Sequence, residues 1–124
     1  MKTIIAGSRS ICDYNELLKV IASCPWEITE VISGTAKGVD KLGERWAEEN
    51  NIPCLRYPAN WTKYGKSAGM IRNSQMADVA DATIVLWDGV SKGTKNMIEL
   101  SKKKNLGLII HTINNEDNID HLFE

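Results

Sequence analysis

What most constrains this chain is an alternation. Short apolar, β-rich runs that stop at a glycine or a polar residue are each followed by a helical pattern. Residues 2–6 form the first run and close at Gly7, and residues 30–33 form the second and close at Gly34. Residues 53–57, 82–87 and 106–112 supply the third, fourth and fifth. Between them the spacing predicts helices over 14–22, 39–50, 69–80 and 94–104, while 58–67 reads as a long polar loop carrying aromatics. The helix over 39–50 is the cleanest, because Val39, Leu42, Gly43, Trp46 and Ala47 recur on one face. Asp13 is the expected N-cap of the first helix, with Leu17, Leu18 and Ile21 on its apolar face. Nearly continuous apolar strands alternating with helices imply a sheet covered on both sides. The expected fold class is therefore α/β, a single Rossmann-like three-layer sandwich with a mostly parallel five-stranded sheet over residues 1–124.

Composition narrows the partners. With 124 residues there is room for one core, and 15 Lys+Arg against 16 Asp+Glu leave a net charge of −1. A duplex-DNA binder needs a basic surplus to neutralise phosphates, so duplex DNA is not an expected partner. No apolar run reaches the roughly 18–20 residues that span a bilayer, so no membrane partner is expected. Cys12, Cys24 and Cys54 are odd in number and widely spaced, and His111 and His121 lie near the C-terminus. Neither a zinc site nor a disulfide framework fits that pattern; no metal and no cofactor is expected, and three free thiols suit a reducing cytoplasm.

In a parallel sheet of this kind ligands bind beyond the carboxyl ends of the strands. After the first strand stands Gly7-Ser8-Arg9-Ser10, a tight turn with two hydroxyls and a guanidinium able to fork onto an anion. After the second stands Ser33-Gly34-Thr35-Ala36-Lys37-Gly38-Val39-Asp40, which leads straight into a helix whose N-terminus favours negative charge. It is neither a dinucleotide fingerprint nor a Walker A loop; Gly65-Lys66-Ser67 has Asn60 where the Walker pattern needs glycine. Asp40 either complements the helix dipole or holds a ribose hydroxyl. In the long loop, Trp61 and Tyr64 interleave with Lys63 and Lys66, which suits base stacking or, more plainly, packing onto the core. The next helix carries Arg72, directed toward the strand ends, and Asn73, Ser74 and Ala77, which share a face with Met70. After the fourth strand come Asp88-Gly89 and then Gly93-Thr94, again at a helix start. Lys102, Lys103 and Lys104 complement the far end of that helix.

Taken together, the Ser33–Asp40 segment, Ile71-Arg72-Asn73, and Asp88-Gly89 with Gly93-Thr94 resemble the SLOG superfamily of Rossmann-like proteins, and most of all its YspA-like branch, which also opens with Gly-Ser-Arg after the first strand. The resemblance runs from Lys2 to about Thr112. It implies a nucleotide or nucleotide-sugar pocket with phosphate at the Gly-Thr helix start, and a homo-oligomer. It places Arg9, Gly34, Thr35, Asp40, Arg72, Gly93 and Thr94 around the ligand. LOG phosphoribohydrolases, in the same superfamily, use Pro-Gly-Gly-x-Gly-Thr-x-x-Glu; counted from Gly93-Thr94, the glutamate position is Met97 here, and Val90-Ser91-Lys92 replaces the double glycine. Glu99 lies about 200° further round the helix and faces away.

The leading expectation is therefore a binding module that captures an adenine nucleotide or an ADP-ribose-like ligand. Arg9, Lys37 and Arg72 would meet phosphates, Gly7, Ser8, Ser33, Gly38, Asn73 and Asp88 would also bind the ligand, and Trp61 or Tyr64 would stack on a base. No catalytic residue is assigned; were the protein a phosphoribohydrolase, Asp40 or Asp88 would be the carboxylate. A third expectation, single-stranded DNA binding, rests on the Lys/aromatic loop alone.

Overall fold

A computed structural model describes residues 1–113; residues 114–124, which the sequence shows as an acidic tail and which include His121, fall outside the described residues. The strands are β1 (Lys2–Gly7), β2 (Glu30–Ser33), β3 (Cys54–Arg56), β4 (Ala82–Trp87) and β5 (Gly107–Thr112). The helices are α1 (Tyr14–Ala22), α2 (Val39–Glu49), α3 (Trp61–Tyr64), α4 (Ala68–Val79) and α5 (Lys92–Lys103). All five strands are parallel, in the order β3-β2-β1-β4-β5. The chain thus builds outward from β1 to β3, crosses back, and builds outward again from β4 to β5. The strand order reverses between β1 and β4, the place where such sheets open a crevice.

The alternation of side chains along each strand feeds two cores. Ile5, Val31, Ile84 and Leu86 point to one face and pack with Leu17, Val20, Val39 and Ala47 of α1 and α2. Ile4, Ala6 and Ile32 point to the other and pack with Met76, Ala77 and Met97 of α4 and α5. This is the three-layer sandwich expected from the pattern. Truncating one of the fully buried β1 residues, Ile4 or Ile5, to alanine would cost about 2–5 kcal/mol. No helix among the described residues is long and apolar enough to cross a membrane.

Three local expectations change. The segment 58–67 is not one loop. It folds into α3, capped by the Asn60 side chain, which accepts from the Lys63 amide at 3.0 Å, and then into a 3-10 turn, Gly65–Ser67. A single turn is too short to show a helical period, so its aromatics read as loop. On α4 the packed face is Ala68, Asn73, Met76 and Ala77, against α5 and the sheet, while Met70 and Ser74 of the expected stripe are exposed. On α1, Leu17 and Val20 are the buried pair while Leu18 faces outward. The expected cap holds, with Asp13 accepting from the Asn15 amide at 3.0 Å.

Candidate functional site

A cleft of about 700 Å³ opens at the carboxyl ends of β1 and β4, within the range of small-ligand sites. Ala6, Met76 and Met97 line its apolar floor. Four cations reach it, Arg9 from the β1–α1 connection, Lys66 from the 3-10 turn, Arg72 from α4 and Lys92 from the start of α5. Trp61, 52% exposed, and Met70, 57% exposed, stand on its rim.

The start of α5 forms one wall. Ser91 caps the helix, its hydroxyl accepting from the Thr94 hydroxyl at 3.1 Å and, more loosely, from the Thr94 amide at 3.5 Å. Asp88 holds the loop before it by accepting from the Val90 amide at 2.9 Å and the Ser91 amide at 2.8 Å. Burial pulls the Asp88 carboxyl upward, but these amides and the Ser8 hydroxyl outweigh it and hold the group below the usual carboxylate range. The amides of Lys92 and Gly93 donate to no group among the described residues, so the first turn of α5 presents bare N–H donors to the cleft. Asn73 steadies this wall from α4, donating to the Gly93 carbonyl at 3.2 Å and to Asn96 at 3.0 Å.

The β2–α2 connection forms the opposite wall, and here the amides are turned inward. The Thr35 amide donates to the Ser33 hydroxyl at 3.0 Å, and the Ala36 amide donates to Asp40 Oδ2 at 3.1 Å. Ser33 in turn donates to Glu44 at 2.7 Å, and Glu44 also accepts from Arg56 at 2.9 Å. Burial alone would raise the Glu44 carboxyl, but Ser33, Arg56 and Lys41 hold it below its usual range. The chain of contacts keeps Thr35 at φ 65°, an unfavourable region for a β-branched residue. Gly38, at φ 80°, lets α2 begin against the β1–α1 backbone; a Cβ there would lie 2.5 Å from the Ser8 carbonyl oxygen.

Asp40 and Arg72 meet across Gly34. A Cβ on Gly34 would lie 2.8 Å from both Asp40 Oδ2 and Arg72 Nη1, so only glycine admits the two charges side by side. Arg72 donates to the Gly34 carbonyl and, through Nε, to Asn73 Oδ1 at 3.0 Å. Burial lowers the Arg72 pKa, opposed by Asp40 and aided by Arg9. Asp40 is 5% exposed, and burial pushes its pKa up to about 6 against the pull of the Ala36 amide and of Arg72. A strongly shifted carboxylate in a cleft wall is a mark of functional sites.

Of the residues expected at the site, Gly7, Arg9, Asp40, Trp61, Arg72, Asn73, Asp88, Gly93 and Thr94 line the cleft. Ser8 and Ser33 are buried struts, and Gly34, Thr35 and Gly38 shape the wall behind Asp40. Lys37 is exposed and outside the cleft lining. The Lys/aromatic segment divides: Trp61 and Lys66 face the cleft, whereas Lys63 and Tyr64 line a separate hollow of about 180 Å³ behind α4. Lys66 belongs to the Lys/aromatic segment read from the sequence, whereas sequence reasoning missed Lys92 and the two floor methionines as lining residues. Lys92 immediately precedes the Gly-Thr pair and could have been read from that position; Met76 could not, because its pattern is that of any core residue. Met97 sits at the cleft floor, 1% exposed, so the position that carries the LOG glutamate does face this cleft and holds a thioether. Among the described residues no three His, Cys, Asp or Glu side chains are grouped to hold a metal ion.

Comparison with known proteins agrees with this fold. The pattern of the family described as "YspA, cpYpsA-related SLOG family" matches residues 1–64, which spans β1 through α3. The chain belongs to that family. It is also 29% identical over 118 residues to "Gene 61 protein" of Mycobacterium phage D29, an alignment covering 87% of this chain and 94% of the relative. No solved structure matches the chain.

Proposed function

We propose that the cleft between β1 and β4 captures a phosphate-bearing nucleotide, of the adenine nucleotide or ADP-ribose class. The observation that carries this reading is the meeting of four cations and a bare helix start over an apolar floor, at the point where strand order reverses. Phosphate lies at the Lys92 and Gly93 amides, within reach of Arg9 and Lys92. The base lies over Met76 and Met97, with Trp61 closing on it as a stacking plane. Family membership supports a nucleotide-related role and is silent on which nucleotide.

Calorimetry with AMP, ADP-ribose and cyclic ADP-ribose isomers tests the reading. At least one should bind, and Arg9→Ala combined with Lys92→Ala should weaken it by about tenfold or more. If none of these ligands releases or absorbs heat with folded protein, the reading is wrong.

One observation favours a second reading, hydrolysis of the N-glycosidic bond of a nucleoside 5′-monophosphate: Asp40 is a buried carboxylate in the cleft wall with its pKa near 6. Met97 opposes it, since no carboxylate stands at the floor. Free base accumulating from AMP, and lost in Asp40→Asn, would establish hydrolysis; intact AMP after long incubation removes it.

A further inference from the structure

The Asp40 carboxylate has two oxygens in different situations. Oδ2 accepts from the Ala36 amide at 3.1 Å, which closes the turn into α2. No other hydrogen bond or ion pair to this carboxylate is formed by the described residues. Yet the residue is only 5% exposed, and it lines the cleft. Among the described residues no fully buried side-chain polar atom lacks a partner, so the Asp40 oxygen that has no protein donor keeps an accessible edge, and the cleft is the direction from which a donor can come.

The neighbours do not supply that donor. From α4, Arg72 spends its fork on the Gly34 carbonyl and Asn73 Oδ1. Arg9, on the β1–α1 connection, acts on Asp40 through space, as does Glu44 one turn along α2 with the opposite sign. The β2–α2 connection contributes only the Ala36 amide. Positive charge nearby thus keeps the site tolerant of a carboxylate without satisfying it. Phosphate is repelled from this point, because two anions would share one desolvated wall. A neutral group with O–H donors is attracted, and it must be joined to an anion that reaches the start of α5.

A phosphorylated ribose meets both requirements. Resting on the nucleotide reading above, we propose that Asp40 accepts hydrogen bonds from the vicinal hydroxyls of a ribose ring, so that the cleft selects ribonucleotides over deoxyribonucleotides. The selection is built into the fold rather than into a flexible side chain. Asp40 is held by the Ala36 amide on one side, and Gly34 keeps the space beside it free of a Cβ.

The experiment compares AMP, 2′-deoxy-AMP and 2′,3′-dideoxy-AMP, and likewise ADP-ribose, by calorimetry on the wild-type chain and on Asp40→Ala. Loss of both hydroxyls should weaken binding to the wild type by about tenfold or more, since a site built to bond a hydroxyl rejects the analogue lacking it. In Asp40→Ala the ratio should fall to near one, with dideoxy-AMP binding no worse than to wild type. Equal binding of AMP and dideoxy-AMP to the wild type overturns the assignment while leaving the nucleotide reading in place. A ribose preference that survives in folded Asp40→Ala overturns the role of Asp40. Failure of every ribonucleotide to bind removes both readings together. The wild-type comparison needs no variant to fold, so the proposal stands or falls even if Asp40→Ala does not.

Discussion

Asp40 sits where its charge is disfavoured, which gives the site a measurable cost. The folded pKa is about 6, against an unfolded value of about 4. Between those values the folded protein holds a proton that the unfolded chain has released, so stability falls as pH rises from about 4 through about 6 and is level above. Asp40→Asn keeps the Ala36 contact and removes the charge. It should therefore stabilise the protein at pH 8, by up to about 3 kcal/mol, with the gain vanishing toward pH 4. Urea unfolding at the two pH values checks this, and a variant no more stable than wild type at pH 8 refutes it. Ser33 works in the other direction. Ser33→Ala frees the Thr35 amide and deprives Glu44 of a donor, which should cost about 1–3 kcal/mol in the same assay. The sequence offered Asp40 as a helix-dipole or sugar-hydroxyl residue, but neither its burial nor the supporting role of Ser33 was legible, since both look alike as polar residues near a glycine loop. Only burial and partners separate the group that lines the cleft from the strut behind it.

At the scale of elements, the starts of α2 and α5 were legible and their use was not. Both follow a strand and both carry glycine near the first turn, so the sequence offered two equivalent anion sites. The structure makes them unlike. In the turn before α2 the Thr35 and Ala36 amides are consumed internally, and Val39, which opens the helix, is fully buried and outside the cleft lining, whereas at α5 Lys92 and Gly93, with their amides open, line the cleft. The α5 wall should consequently depend on its latch. Asp88→Ala removes the acceptor for two amides and should lower both stability and nucleotide affinity, read by melting and calorimetry on one preparation. The Asp88 carboxyl lies below the usual range, so its support is present above about pH 4 and is lost as pH falls below it. Gly38→Ala should cost more than about 2 kcal/mol, because its Cβ meets the Ser8 and Arg9 carbonyls as well as a positive φ. A tolerated Gly38→Ala would mean that α2 can withdraw from β1, and with it the wall that carries Asp40.

For the whole molecule the near-zero charge hides a local bias. A net charge of −1 is spread over the chain, but Arg9, Lys66, Arg72 and Lys92 gather at one cleft that holds two carboxylates, one of them shifted toward neutrality. Ligand binding should therefore be electrostatically assisted and weaken with salt, and it should raise the melting temperature. Ligand at about a hundred times its dissociation constant adds about 2.7 kcal/mol, several degrees for a chain of this size. The family resemblance implies a homo-oligomer, and the exposed Trp61, Met70 and Val90 lie around the cleft mouth and the α5 loop where a second copy would cover apolar surface. Light scattering that gives a monomer mass at every concentration, with and without ligand, would dispose of that expectation.

The alternation of apolar runs and helical periods determined, by itself, the five strands, the long helices and the layering. It could do so because burial on both sheet faces needs a pattern that is local and repeated. The glycines and polar residues at strand ends also marked where a ligand site belongs. What the tertiary structure decided is which of those residues point inward. Thr35 donates to its own strand, Lys37 lies outside the cleft lining, and Tyr64 turns behind α4, although each follows the end of a strand as Arg9 and Asp40 do. The helix α3, one turn long and held by its local Asn60 cap, is too short to show a period, while the floor made by Met76 and Met97 arises only when α4 and α5 pack across β1. Packing of that kind depends on contacts between residues far apart in the chain, and no local pattern encodes it.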